Sequence, residues 1–221
     1  MLLPATQDAP IHLPARGGHL RAMSGEYSRG GTIVNGMTEL SIDYRSHPEV
    51  EELVDRIRYC AESISIAFDD WDQPRVKGPG LYFAVVADRN YDDYADPMGD
   101  NRWPVESCRS VAADYEAFAE ASEGVGFERD GGVVVAVDGV IEEQMVRFRD
   151  LEATAGDALA DGVTYADWMG SRHMSALETS TRPAVVATVT LSEETGRVSL
   201  FRDGEVDSTE RDEIGRKWTA D

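Results

Sequence analysis

Long apolar runs are missing from this 221-residue chain, and so is a basic, apolar leader at its start. No stretch approaches the roughly 18 consecutive apolar residues that a membrane-spanning helix needs, and the first residues do not have the pattern of a secretory signal. Cysteine is almost absent, because Cys60 and Cys108 are the only two and their spacing matches no metal knuckle. We therefore expect a soluble, cytoplasmic protein with reduced thiols and no membrane partner.

Positive charge is also scarce. The chain has 21 basic residues, of which only Lys77 and Lys217 are lysines, against 42 acidic ones, and its net charge is -21 with a pI near 4.4. Such a surface has no basic stripe to displace counterions from a nucleic acid backbone, so we expect no polymeric nucleic acid partner. Acidic residues spread along the whole chain suit a halophile's cytosol, where a Debye length of about 3 Å at 1 M salt screens their repulsion. An ordinary acidic protein is the alternative.

Composition divides the chain into three parts. Residues 1–36 contain three prolines and two Gly-Gly pairs without any helical or strand period, which predicts a disordered arm. Met37 is an alternative start of the functional chain. Residues 37–208 carry the periodic apolar pattern of a folded domain, and residues 209–221 are predicted to be a C-terminal tail.

Apolar periodicity predicts the secondary structure of the middle part. The predicted elements, in chain order, are a helix over 47–67, a buried strand over 80–87, a helix over 107–122, two strands joined by a hairpin turn at Asp138-Gly139, a helix that Ser171 caps and that runs to about Thr179, and two strands joined by the turn in "EETG". The segment over 88–104 is turn-rich and acidic. This order predicts an α/β (α+β mixed) fold with a central mixed β-sheet flanked by helices.

The segment Asp130-Gly131-Gly132 opens a predicted buried strand. Two glycines allow backbone to approach a ligand closely, and the carboxylate beside them is a ligand type that a divalent metal ion accepts. Taken alone, the segment is more typical of an ordinary turn.

The stretch "GSRHMSALETS" begins at Gly170 and starts a predicted helix. Free backbone N–H groups at the helix start, together with Arg172 and His173, provide donors for a phosphate group. The stretch also fits a capped helix with a surface arginine and a buried histidine. A third segment, "SEET" from Ser192, is by itself typical of a polar hairpin turn.

In this order, "DGGVVVAVDGVI", "GSRHMSALETS" and "VVATVTLSEETGRVSLFRDG" resemble the diadenylate cyclase domain, in particular its stand-alone archaeal branch. Members of that family show an Asp-Gly-Ala strand start, a Gly-Thr-Arg-His-Arg helix start and a Ser-Glu-Glu-Thr-Gly hairpin. The resemblance covers about residues 80–203. It implies an enzyme that joins two ATP molecules into cyclic di-AMP, releases two pyrophosphates and uses Mn²⁺ or Mg²⁺.

The resemblance also implies roles for individual residues. The catalytic residues would be Asp130, Arg172 and His173, and the metal ligands would be Asp130 and Glu194. The nucleotide-binding residues would be Gly131, Gly132, Ser171, Arg172, His173, Met174, Ser175, Ser192 and Glu194. Gly132 stands where the family has alanine, a difference we expect to be harmless. Met174 stands where it has a second arginine, which leaves one fewer cation for the triphosphate.

Cyclic di-AMP contains two adenylates, whereas each motif occurs once in this chain. The resemblance therefore implies two protomers that face each other across a two-fold axis, either transiently or within a larger homo-oligomer. Two other functions stay open. A catalytically inactive nucleotide-binding sensor is favoured by the missing second arginine, and an unrelated metal-dependent phosphohydrolase is disfavoured by the lack of a multi-histidine or multi-aspartate cluster.

Overall fold

The structure, a computed structural model, describes residues 43–71, 73–151 and 163–218. The predicted arm over 1–36, the alternative start at Met37 and the last three residues lie outside the described residues. The elements that the structure shows are a 3₁₀ helix (Tyr44–Ser46), the helices α1 (Pro48–Ala67), α2 (Tyr115–Glu128), α3 (Ser171–Ser180) and α4 (Arg211–Trp218), and the strands β1 (Leu81–Val86), β2 (Ala95–Arg102), β3 (Val133–Ala136), β4 (Gln144–Phe148), β5 (Val185–Leu191), β6 (Val198–Arg202) and β7 (Glu205–Thr209).

Five strands form one mixed sheet in the order β3-β1-β5-β6-β7. Strands β1 and β3 are parallel, and the other neighbours are antiparallel. All residues of β1, β3 and β5 are buried, as is typical of strands that are covered on both faces. The predicted α/β fold class, with a central mixed sheet and flanking helices, is confirmed.

Two apolar cores cover the two faces of this sheet. Successive residues of a strand point to opposite faces, so Phe83 of β1 belongs to the larger core with α1 and α2, while Ala84 belongs to the smaller one. Helix α3 packs on the smaller core through Ala176 and Leu177. Within the described residues, no helix has the length and apolarity to cross a membrane.

The second helix begins later than the sequence predicted. We expected it over 107–122, but α2 occupies Tyr115–Glu128, because the Asp114 carboxylate accepts a hydrogen bond from the Ala117 amide at 3.1 Å and so caps the helix. Val111, which we had placed on the helix, is fully buried in the preceding turns, where its amide donates to the Gly139 carbonyl. The apolar pattern thus predicted the burial of Val111 correctly, but it did not predict that Val111 lies in a turn and not in a helix.

The chain after the turn at 138–139 does not simply return along β3. Gly139 has the left-handed backbone that the predicted turn requires, at φ 81, but β4 pairs with β2 in a separate two-stranded sheet. Only isolated bridges, Gly132 to Val146 and Val135 to Ile141, link this segment back toward β3. The sequence "ADPMGDNR" of β2 contains proline, glycine and mostly polar residues, so it carried no strand signal.

The C-terminal region contains two elements that the sequence did not predict. Asp203 and Gly204, at φ 51 and 78, form the turn between β6 and β7. Helix α4 then lies within residues 209–221, which we had predicted to be a tail, and its Ile214 is fully buried in the larger core. The large apolar residues of the eight-residue α4 are Ile214 and Trp218, too few to predict a helix from an apolar period in the sequence.

Candidate active site

A cavity of about 710 Å³ lies where four segments of the chain meet. These segments are the approach to β3 from Arg129 to Gly132, the end of β4, the start of α3, and the hairpin between β5 and β6 from Ser192. The three sequence motifs are therefore brought together at one cavity, although more than sixty positions separate Asp130 from Ser192 in the chain.

Nearly all residues that the sequence selected for the site line this cavity. They are Asp130, Gly131, Gly132, Ser171, Arg172, His173, Ser175, Ser192 and Glu194. Met174 is not among the lining residues, because helical geometry turns it away from the face that Arg172, His173 and Ser175 share. The position at which we expected a missing cation thus does not contribute to the cavity wall.

Asp130 and Gly131 form a tight turn at the edge of the cavity. The Gly131 amide donates to the Asp130 carboxylate at 2.8 Å, and Gly131 has a left-handed backbone with φ 101. A Cβ at Gly131 would also lie 3.1 Å from the Val146 carbonyl oxygen, so both the backbone and the space require glycine. The Asp130 side chain is 75% exposed and therefore accessible to a ligand.

Gly132 lies against the ring of Phe148, which also lines the cavity. A Cβ at Gly132 would be only 2.6 Å from Cε2 of that ring. The alanine that the family has at this position would place its methyl group in space that the Phe148 ring fills. The loss of that methyl group, which we expected to be harmless, is therefore matched by an aromatic side chain. In this chain, glycine at 132 and phenylalanine at 148 are two halves of one packing arrangement.

Arg172 is held between two carboxylates. Its Nη2 lies 3.8 Å from the Asp130 Oδ1 and 3.6 Å from the Glu193 Oε2. Gly80 leaves room for the guanidinium, since a Cβ there would be 2.4 Å from the Arg172 Nη1. The Lys77 ammonium donates to Glu193 at 2.9 Å, and this contact, together with the Arg172 charge, holds the pKa of Glu193 below its ordinary value.

The start of α3 presents backbone donors to the cavity. We expected Ser171 to cap this helix, but the N-cap is Gly170, which makes no side-chain cap, and Ser171 is the first helical residue. The Met174 amide donates to the Gly170 carbonyl at 3.0 Å, so the three preceding amides of the helix have no acceptor within it. Free amides at the positive end of a helix dipole form a binding site for an anion.

His173 is buried beside these amides. The residue is 6% exposed, and its Nε2 has no hydrogen-bond partner in the described part of the chain. Burial, and then the charges of Arg172 and Arg197, lower its pKa to about 4. The imidazole is therefore neutral at pH 7 and offers one unpartnered nitrogen beside the first turn of α3.

The charge of the cavity wall is opposite to that of the whole protein. Five basic and four acidic side chains line it, although the net charge of the chain is -21. These are Lys77, Arg129, Arg147, Arg172 and Arg197, with Asp130, Asp150, Glu193 and Glu194. The wall can thus attract a polyphosphate that the protein as a whole repels.

Several of these lining residues were missed by the sequence reasoning. Arg129 directly precedes Asp130, and Arg197 directly follows the hairpin motif, so adjacency to a motif could have indicated both. Lys77 and Trp168 have no such signal, since only the tertiary fold brings them to the cavity. Glu193 was passed over in favour of Glu194, yet Glu193 is the one that contacts Arg172.

The predicted metal ligands, Asp130 and Glu194, both line the cavity. Across the described ranges, no group of three or more histidine, cysteine, aspartate or glutamate side chains is arranged to hold a metal ion. Magnesium is usually bound by one or two carboxylates together with water and substrate phosphates, and manganese accepts the same oxygen ligands. Two carboxylates on one cavity wall therefore fit an ion that binds together with a nucleotide.

Comparison with known proteins finds solved structures of low sequence identity, but no family model and no curated relative. No protein-family model matches the chain, and no curated protein matches its sequence. The solved structures that resemble it include a hypothetical membrane spanning protein from Bacillus cereus, with 17% identity and a TM-score of 0.48 over 71% of this chain and 63% of that one. They also include a double mutant of DacA from Staphylococcus aureus, with 17% identity and a TM-score of 0.42 over 77% of this chain and 94% of that one. Likenesses at this level support no functional conclusion, and the chain matches less than two thirds of the Bacillus cereus chain's length.

Proposed function

We propose that this protein is a metal-dependent diadenylate cyclase, which joins two ATP molecules into cyclic di-AMP and releases two pyrophosphates. The observation that carries the proposal is the meeting of three separate motifs, around Asp130, Arg172 and Ser192, at one cavity. Each motif alone fits a turn or a helix cap. Turns and caps have no reason to converge on one cavity, whereas a nucleotide site needs all three together.

The phosphate chain of ATP is assigned to the start of α3. The free amides of the first helical turn, the Arg172 guanidinium and the neutral His173 supply donors of three kinds to phosphate oxygens. Phosphoryl transfer depends mainly on positioning and on neutralisation of charge. The contacts of Arg172 with Asp130 and Glu193 hold it in place before the substrate arrives.

Asp130 is assigned to the attacking hydroxyl group. Its exposed carboxylate lies 3.8 Å from Arg172, next to the proposed phosphate site. It orients the 3′-hydroxyl of the second nucleotide and accepts the proton when that oxygen bonds to the α-phosphorus and pyrophosphate leaves. Asp130 and Glu194 would hold a Mn²⁺ or Mg²⁺ ion, which would supply positive charge to the phosphates.

Two protomers are needed to complete this reaction. A single set of motifs holds one ATP, while each bond of cyclic di-AMP joins the 3′-oxygen of one nucleotide to the α-phosphorus of the other. Two cavities therefore face each other across a two-fold axis, with equivalent roles for the two copies of Asp130. Specific activity per protomer is expected to fall on dilution. Product formation proportional to enzyme concentration, down to a range where sedimentation shows only monomer, would rule out this arrangement.

The main test is incubation of the purified protein with ATP and Mn²⁺ in high KCl, followed by identification of the products by mass. Cyclic di-AMP that forms with the unaltered protein but not with Asp130→Asn supports the proposal. ADP and phosphate would identify a phosphohydrolase instead and refute it. The Asp130→Asn variant also serves as the control for a contaminating activity.

A nucleotide-binding sensor is the second candidate. It is favoured by Met174, which brings no second cation to the start of α3 and does not line the cavity. In the same assay, a sensor would leave ATP unchanged while calorimetry shows that ATP binds. That result would replace the cyclase proposal, whereas the assignment of the cavity to a nucleotide would stand.

A further inference from the structure

Arg197 is a cavity residue that is fixed by three neighbours. Its guanidinium lies 4.4 Å from the centre of the Trp168 ring. One terminal nitrogen donates to the Ser208 hydroxyl at 3.0 Å, and the other donates to the Glu210 carboxylate at 2.5 Å. A guanidinium has five N–H donors, so these two hydrogen bonds leave three for another partner.

Arg197 and Arg172 both act on the same histidine. The Trp168 ring that carries Arg197 also contacts His173, with ring centroids 5.1 Å apart and planes at 80°. Burial, and after it the charges of both arginines, lower the pKa of the imidazole. The unpartnered Nε2 of His173 is thus close to two guanidinium groups that come from different elements, α3 and the β5–β6 hairpin.

We propose that Arg197 is a second arginine contact for the phosphate chain of the nucleotide, and that Trp168 is the positioning residue that holds it at the cavity wall. The phosphates then lie between Arg172 and Arg197, with His173 between the two. This inference rests on the proposed function for the identity of the ligand as a nucleoside triphosphate. It also assigns a source for the positive charge that Met174 does not provide.

The ion pair with Glu210 does not remove Arg197 from this role. Glu210 is 61% exposed, whereas the Arg197 side chain is 18% exposed, so solvent screens the carboxylate more than the guanidinium. Arginine stays charged at any ordinary pH, and its planar fork can bind phosphate with two parallel hydrogen bonds. Glu210 and Ser208 fix the direction of the fork while part of it remains free.

Inorganic tripolyphosphate is a probe that measures binding through the phosphate contacts alone. Adenosine is a probe that measures binding of the nucleoside without the phosphates. Calorimetry on the full chain is expected to show that Arg197→Met weakens tripolyphosphate binding about tenfold, the usual scale for one charge-assisted hydrogen bond, with adenosine binding unchanged. Arg197→Lys keeps the charge but loses the fork and is expected to give an intermediate value. Arg202→Met is the matched control, because Arg202 lies on the adjoining strand, pairs with Glu51 at 3.2 Å and does not line the cavity.

The positioning role of Trp168 is tested in the same assay. Trp168→Phe keeps a ring for the guanidinium and should bind tripolyphosphate nearly normally, whereas Trp168→Ala should weaken its binding as Arg197→Met does. Nuclear magnetic resonance titration of His173 gives a readout that does not depend on any ligand. Its pKa should rise in Arg197→Met, because one of the two nearby cations is removed.

The outcomes separate this inference from the proposed function. If Arg172→Met weakens tripolyphosphate binding and Arg197→Met does not, the second arginine contact is refuted and the proposed phosphate site stands. If neither variant changes it, the phosphate site itself is refuted. If Arg197→Met weakens tripolyphosphate and adenosine binding equally, or lowers the thermal midpoint while Arg197→Lys restores only the midpoint, Arg197 is a structural residue and the inference fails.

Discussion

A single methyl group at residue 132 is expected to destabilise this protein. In Gly132→Ala, the new Cβ would lie 2.6 Å from Cε2 and 3.3 Å from Cδ2 of the Phe148 ring. Carbon atoms in favourable contact are about 3.5 to 4.0 Å apart, so the ring or the backbone must move by nearly an ångström. Gly132 does not have the left-handed backbone of Gly131, which leaves the steric contact as the cause of any effect.

The ring of Phe148 has little freedom to move. It is 3% exposed and is packed between Tyr82, with centroids 5.2 Å apart, and Tyr94, at 6.3 Å. Overpacking of this kind costs about 1 to 3 kcal/mol, and the lower chain entropy of unfolded alanine offsets about 0.4 to 1 kcal/mol. The expected net loss is about 1 to 2 kcal/mol, which lowers the thermal midpoint by roughly 2 to 8 °C in a domain of this size.

Urea unfolding in high KCl measures this loss, and two further variants control it. Gly124→Ala adds a methyl at an exposed position of α2 with nothing within 4 Å, so it is expected to stabilise the protein by about 0.5 to 1 kcal/mol. Phe148→Leu removes the clashing atom. In the double variant, most of the penalty of Gly132→Ala should disappear, which gives a coupling of about 1 kcal/mol. A Gly132→Ala protein as stable as the parent, or no coupling to residue 148, would refute the reasoning.

Three other changes have expected outcomes. Asp130→Asn should reduce cyclic di-AMP synthesis to below about a tenth, a barrier change of more than roughly 1.4 kcal/mol, while its thermal midpoint stays unchanged because the side chain is 75% exposed. Burial lowers the pKa of His173 in the folded protein to about 4, from an ordinary value of 6.5, so unfolded chains bind more protons between these values and stability falls as pH drops from 6.5 to 4, by up to about 3 kcal/mol. Urea unfolding across this range should show a smaller fall in His173→Gln, and an equal fall would refute the assignment. Removal of residues 1–36 should leave both activity and thermal midpoint unchanged, because that segment has no pattern able to bury surface; a large loss of either would show that the segment is integral.

The parts of the fold that the sequence predicted are those with strong periodic signals. The run "LYFAVV" of β1 is apolar throughout, and α1 shows a continuous helical period, so both were predicted with the right type and nearly the right limits. Strand β2 was missed because its pairing with β4, and not its composition, makes it a strand. The start of α2 was misplaced because buried turn residues resemble one face of a helix in the sequence.

The residues of the cavity likewise fall into those that the sequence could predict and those that it could not. Residues inside a motif, such as Asp130 and His173, could be selected from the sequence, because a motif fixes both the residue type and its local backbone. Arg147 and Lys77 could not be selected, since only strand pairing and loop packing bring them to the cavity. The choice between Glu193 and Glu194 depends on which side of the hairpin faces Arg172, and the sequence does not determine that side.

The reversal of charge at the cavity leads to a final expectation about salt. At low ionic strength, a protein with a net charge of -21 repels a triphosphate over a Debye length of about 10 Å at 0.1 M salt, whereas at 1 M that length is about 3 Å. Contacts with the cations of the cavity wall act at hydrogen-bond distance and lose less to screening than the long-range repulsion does. Tripolyphosphate affinity should therefore rise with KCl from 0.1 M toward 1 M, opposite to the fall that is usual for polyanions bound to basic proteins. Calorimetry over this range measures it, with Arg202→Met as a control for a general effect of charge. A steady fall in affinity over the same range would mean that attraction by the cavity cations outweighs the long-range repulsion even at low salt, and the expectation that screened repulsion dominates the salt dependence would be refuted.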